Sequence, residues 1–117
     1  MSSKHIDANK VFELHDDIRH VIVADSMGDV INIFSKAKKT WPLDVQRQFS
    51  GIMAAVVFGI SEKVRDIAGN VEYIVVHHEK LKIIIAKSAN NIYIVSTRKS
   101  LPDEIIDKLV ALIKSEG

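Results

Sequence analysis

Between residues 43 and 67 the chain is apolar at helical spacing on two opposite sides. At about 100° per residue, Val45, Phe49, Ile52, Met53, Val56, Ile60, Val64 and Ile67 fall on one face, which reads as the stripe that meets the core. The opposite face is polar at its ends, where Asp44, Arg47, Glu62 and Arg65 stand, but not in its middle. There Gly51, Ala54, Ala55, Phe58 and Gly59 form a small apolar outer patch. Gly51, Ala55 and Gly59 recur every four residues, a spacing that admits a second backbone. A helix with no polar residue round its middle is covered on both sides. In so short a chain, the second cover is expected to be another copy of the protein.

The rest of the pattern predicts a sheet with helices on both faces. Val11, Leu14, His15 and Ile18 mark a short helix over residues 6–18. Residues 20–24 and 30–34 are rich in β-branched side chains and read as a hairpin across Asp25-Ser26-Met27-Gly28-Asp29, with Gly28 free to take positive φ. Residues 71–78, 81–87 and 92–97 read as a three-strand meander. Tyr73 and Val75 alternate with Ile74 and Val76, and Ile83 and Ile85 with Ile84 and Ala86, so both sheet faces are apolar and both need cover. Pro42 fits the first turn of the long helix, with Thr40 or Trp41 as its cap, and Gly69-Asn70 closes it. Ser100 as a cap, Pro102 and the stripe Ile105, Ile106, Leu109, Leu112, Ile113 predict the last helix. The order is α-β-β-α-β-β-β-α. It places the long helix on one face of a five-stranded sheet and the two terminal helices on the other, in one domain over 1–117.

Composition and charge mainly exclude. Without cysteine there is no disulfide or thiolate chemistry. Sixteen basic and 15 acidic residues leave a net charge of +1, which gives no global attraction to nucleic acid or anionic membrane. No apolar run approaches the ~18 residues of a membrane span, and Met1 to Lys10 lack the apolar core of a signal peptide. A cytoplasmic location is expected. The five glycines build neither GxxxxGK[ST] nor GxGxxG, so no nucleotide cofactor is expected.

The candidate chemistry is sparse. His77 and His78 are strand neighbours that point to opposite faces, so they read as a surface pair and not as metal ligands. His15 reads as a helix-face residue, and Asp16-Asp17 as the solvated end of that helix. His20 could act as a base in a cleft, but the sequence suggests no nucleophile for it. Asp25 and Asp29 flank Gly28 as turn residues commonly do. No catalytic, cofactor-binding or metal-binding residue is assigned, and no enzyme is expected. Lys36, Lys38, Lys39 and Trp41 form the one basic cluster with an aromatic, which would suit a phosphate backbone with a base stacked on Trp41. The chain adds no further basic stripe, so Trp41 is read as packing over the helix start with the lysines in water.

The order of elements, the hairpin VIVADSMGDVI, the long Ala/Gly-bearing helix and the meander ending in NNIYIVST together resemble the roadblock/dynein light-chain domain, over roughly residues 6–115. The longin and profilin-like domains share this architecture. The resemblance implies an antiparallel sheet in the order 2-1-5-4-3. It also implies dimerisation through the long helix and the strand after it, here with Gly51, Ala54, Ala55, Phe58, Gly59, Tyr73 and Val75 at the interface. It implies a non-catalytic scaffold or regulator for a small GTPase, for which Lys36, Lys38, Lys39, Trp41 and Arg47 are the candidate contacts. A small-molecule-sensing domain is the alternative, although continuous aliphatic strands suggest a filled core.

Overall fold

The computed structural model describes residues 7–115. Helix α1 (Ala8–Glu13) is capped by Asp7, whose carboxylate accepts from the Asn9 amide at 2.9 Å. Strands β1 (Ile18–Asp25) and β2 (Val30–Ser35) form the hairpin. The long helical segment begins as α2 (Leu43–Ala54) and ends as α3 (Arg65–Ala68). Strands β3 (Ile74–His77), β4 (Leu81–Lys87) and β5 (Asn91–Arg98) form the meander, and α4 (Asp103–Ser115) follows.

All five strands join one antiparallel sheet in the order β2-β1-β5-β4-β3, as expected, so β2 and β3 are its edges. The alternation of side chains sorts two cores. Val21, Val23, Ile84, Ala86, Tyr93 and Val95 pack with Val11 of α1 and Ile106, Leu109, Val110 and Ile113 of α4. Ile22, Ala24, Ile83, Ile85, Ile92 and Ile94 pack with Ala54 and Val57 of the long segment. Each fully buried aliphatic side chain contributes about 1.5–3 kcal/mol, so the near-continuous apolar strands β4 and β5 are held from both sides.

Several boundaries differ from the expected ones. Ile6, expected to open the first helix, lies outside the described residues. The helix also stops early, and Ile18 opens β1, its amide donating to the His15 carbonyl at 3.2 Å. His15 lies past the helix, and its Nδ1 accepts from the Asp17 amide at 2.9 Å. Asp17 is not solvated: it is buried, accepts the Ser100 hydroxyl at 2.6 Å and pairs with Arg98. Ser100 thereby ties the α1–β1 junction to the end of β5, where a helix cap was expected. Pro42 precedes the first turn of α2 as its N-cap, without a side-chain cap bond.

The long segment departs most from expectation. It is α-helical to Ala54, wound as a π-helix over Ala55–Gly59, and tightened to a 3-10 helix over Ile60–Val64. Gly59 stays in the broad helical region at φ −103°, ψ −78°, while Val64 leaves it at φ −111°, ψ 8°. Its faces are also only partly the expected ones. Gln46, Ser50, Ala54 and Val57 point at the sheet. Ile52, Ile60 and Ile67 are 60%, 67% and 93% exposed, with Val45 and Val64 beside them. Only Phe49 and Met53 of the expected core stripe pack against the inner cluster. The cause lies in the sheet: under the start of α2 it presents His20, which needs a hydrogen-bonding partner, and Gln46 supplies one.

Candidate interaction surface and a pocket at the helix start

The expected interface residues do not share one surface. Ala54 is buried on its own sheet, and Phe58 packs on the same cluster with the Lys87 amine 5.3 Å from its ring centroid. Val75 packs toward the terminal helices, while Tyr73 is exposed just before β3. Gly51 meets the hairpin turn: a Cβ on Gly28 would stand 2.5 Å from the Gly51 Cα. Ala55 and Gly59 are exposed. The outward surface is instead aliphatic, running from Val45 through Ile52 and Ile60 to Val64 and Ile67. Beside it in sequence, edge strand β3 pairs with β4 on one side only.

The basic cluster is divided. The Lys36 amine lies 3.6 Å from Asp16 and 5.6 Å from the centre of the Phe12 ring. Lys38 and Arg47 are exposed. Lys39 and Trp41 line a pocket of about 210 Å³, between the start of α2 and the ends of β1, β4 and β5. Trp41 meets Phe49 edge-to-face, ring centroids 5.6 Å apart, which fixes the indole over the sheet.

His20 and Ser96 are register partners on β1 and β5, and both line this pocket. His20 Nε2 and Gln46 Oε1 are 3.2 Å apart, while Gln46 Nε2 donates to the Trp41 carbonyl at 2.8 Å. Burial pushes the His20 imidazole below its usual pKa, and the bond to Gln46 offsets part of that shift. The Ser96 hydroxyl is buried without a hydrogen-bond partner among the described residues. Sequence reasoning noted His20 but not Ser96 or Gln46. The alternation of β5 that puts Ile92 and Ile94 on the long-helix face is the signal that also puts Ser96 there.

At the rim, Arg19 and Arg98 are already engaged. Arg19 donates to the Lys36 carbonyl at 3.1 Å, and Arg98 donates to Asp16 and Asp17 at 3.0 and 3.4 Å. The Arg98 hydrogen bond and charge hold the Asp16 carboxyl below its usual range, and the Ser100 hydroxyl and Arg98 do the same for Asp17. Asp25 accepts from the Met27 and Asp29 amides, as a turn residue. Among the described residues no group of three or more His, Asp or Glu could hold a metal ion, and no helix is long and apolar enough to cross a membrane.

The sequence pattern of the Roadblock/LC7 domain matches residues 9–97, the hairpin, the long helical segment and the meander together. The chain belongs to the Roadblock/LC7 family. Solved structures carry the same fold. A Roadblock/LC7 domain from Streptomyces avermitilis superposes with a TM-score of 0.70 at 11% identity, covering 92% of this chain and 88% of that one. Gliding protein MglB from Thermus thermophilus gives 0.64 at 10% identity, covering 99% and 97%. A profilin from Schizosaccharomyces pombe gives 0.67 at 13% identity, covering 97% and 95%. At these identities the likeness is one of fold. No curated protein sequence matches. In this Roadblock/LC7 domain, the element order read from the pattern and the sheet order implied by the resemblance are both present.

Proposed function

We propose that this Roadblock/LC7 domain is a non-catalytic homodimeric scaffold that binds and regulates a small GTPase. The observation that carries the dimer is the outward face of the long helical segment, where Val45, Ile52, Ile60, Val64 and Ile67 are all exposed. A contiguous aliphatic surface of this kind marks an interaction site. Two such faces are self-complementary under a two-fold axis, each supplying the same side chains. Ala55 and Gly59 lie on that surface and add little bulk, and the open edge of β3, with Tyr73 before it, extends it. Ala54 and Phe58 support this interface from beneath, while Val75 packs on the opposite side of the sheet.

The GTPase half of the proposal rests on membership of the family. Lys38, Lys39 and Arg47 would steer a negatively charged partner, with Trp41 close by. Light scattering at micromolar concentration tests the dimer, the expected mass being twice 13.1 kDa. Titration against small GTPases encoded beside its gene, in both nucleotide states, tests the partner. Failure of every one to bind more tightly than about 100 μM would remove the GTPase half and leave the dimer standing.

A further inference from the structure

We infer that the pocket beneath Trp41 is a binding site for a small aromatic carboxylic acid, its ring held between Trp41 and Leu81, its carboxylate at Lys39 and Lys80, and its inner edge against Ser96. This site shares no lining residue with the outer face of the long helical segment, although its Lys39 and Trp41 also belong to the surface proposed for a partner. At about 210 Å³ the pocket is smaller than the ~300–1,000 Å³ of sites for drug-sized ligands. It therefore suits a metabolite with one ring and a short side chain.

Three features give the ligand its chemistry. Ser96 is only 8% exposed, and its hydroxyl has no partner among the described residues although it lines the cavity. A buried hydroxyl is costly to leave unpaired, so a ligand atom that bonds to it gains by doing so. His20, 6% exposed, stands beside it across the strand pair, with its Nε2 held by Gln46. The walls are apolar: Trp41 on the helix side and Leu81 on the sheet side, both packed against the inner core.

The charges at the mouth select an anion. Of the four cations lining the pocket, Arg19 and Arg98 are engaged with Asp16, Asp17 and the Lys36 carbonyl. Lys39 and Lys80 form no ion pair among the described residues, and both line the pocket. Glu79 lies in the adjoining, shallower hollow with His78 and is the nearest acid in sequence. Two unpaired ammonium groups over an apolar slot favour a molecule that is anionic at one end and aromatic at the other.

The test follows backbone and indole N–H resonances of the full chain while phenylacetate is added, with phenylacetamide and acetate as comparators. Saturable shifts at Trp41, Leu81, Ser96 and Thr97 are expected, with a Kd below about 1 mM. Phenylacetamide and acetate should each bind about tenfold more weakly, one lacking the charge and the other the ring. The double variant K39Q/K80Q, its fold verified by the same spectrum, should weaken phenylacetate about tenfold while leaving phenylacetamide unchanged. Ser96→Ala should raise the melting temperature of the free protein, because it removes an unpaired hydroxyl, yet weaken the ligand. Absence of saturation by about 10 mM phenylacetate, or equal affinity in K39Q/K80Q, would overturn the assignment.

Discussion

Gly28 and Gly51 meet backbone to backbone: the hairpin turn rests on the long helical segment where neither residue has a side chain. The contact is asymmetric. A Cβ on Gly28 would stand 2.5 Å from the Gly51 Cα and 3.2 Å from the Ser50 carbonyl oxygen, at φ +87°. A Cβ on Gly51 would meet nothing within 4 Å. Gly28→Ala is therefore expected to destabilise the fold by about 2–4 kcal/mol, from left-handed strain and forced separation together. Gly51→Ala should stabilise α2 by about 0.5–1 kcal/mol. Urea unfolding of the two variants checks both signs.

Ile52→Glu and Ile60→Glu place a charge on the outer aliphatic face without touching the sheet. Each is expected to convert the dimer to a monomer in sedimentation while the far-ultraviolet circular dichroism stays unchanged. Ala54→Glu would instead bury a carboxylate against Ile22 and Ile85, and is expected to unfold the chain. A dimer that survives both isoleucine variants would move the interface elsewhere.

Edge strand β3 offers a second check. The His78 amide donates inward to the Leu81 carbonyl at 2.9 Å. By alternation the Val75 and His77 amides point away from β4. If β3 pairs with its counterpart in a dimer, those two amides exchange slowly with solvent at high protein concentration. Dilution, or Ile52→Glu, should speed their exchange and leave Val76 protected.

Stability should fall on mild acidification because of His20. Its folded pKa lies below the usual 6.5, so the unfolded chain takes up the proton first. The stability that neutral His20 contributes is full above about pH 6.5 and is lost as pH falls toward the depressed folded value. Gln46→Leu removes the bond that holds the pKa up, so His20 should titrate lower still, as read from its ring proton shifts.

The acid limb has a different origin. Asp16 and Asp17 have folded pKa values below 3.8, with Arg98 bonded to both and Ser100 to Asp17. Their contribution is present above that value and is lost as pH falls through the lower folded values. Ser100→Ala should raise the Asp17 pKa and shift the start of acid unfolding upward. Chemical denaturation across pH 2–5, compared between the two proteins, measures the shift.

The sheet was legible in the sequence because its strands carry their own pattern. Ile83-Ile84-Ile85 and Ile92 to Val95 are apolar on both faces, and that demands cover on both. The long helical segment misled for a physical reason. Periodicity reports which side of a helix is more apolar, and the rule equates that side with the chain's own core. Here the more aliphatic side, Val45 to Ile67, faces out, while the inner side begins with Gln46 and Ser50 because His20 lies beneath it. Asp17 was misread because its partners, Arg98 and Ser100, are some eighty residues away. The pocket had only scattered signals: the Lys39–Trp41 stretch, His20 and the alternation of β5 could each be read, but not their meeting. His20, Lys39, Trp41, Lys80, Leu81 and Ser96 come from four separate stretches, and only the folded sheet brings them together.

The uneven winding of the long segment has a torsional consequence. The π turn over Ala55–Gly59 advances each residue by less than an α-helix does, and the 3-10 turn over Ile60–Val64 by more. The lag and the gain act in opposite senses, and Val64 and Ile67 beyond them are exposed, as Val45 and Ile52 are before them. Regularising one turn without the other would rotate everything beyond it about the helix axis. The angular setting of the last two turns is thus geared to how a handful of backbone hydrogen bonds near Gly59 are shared.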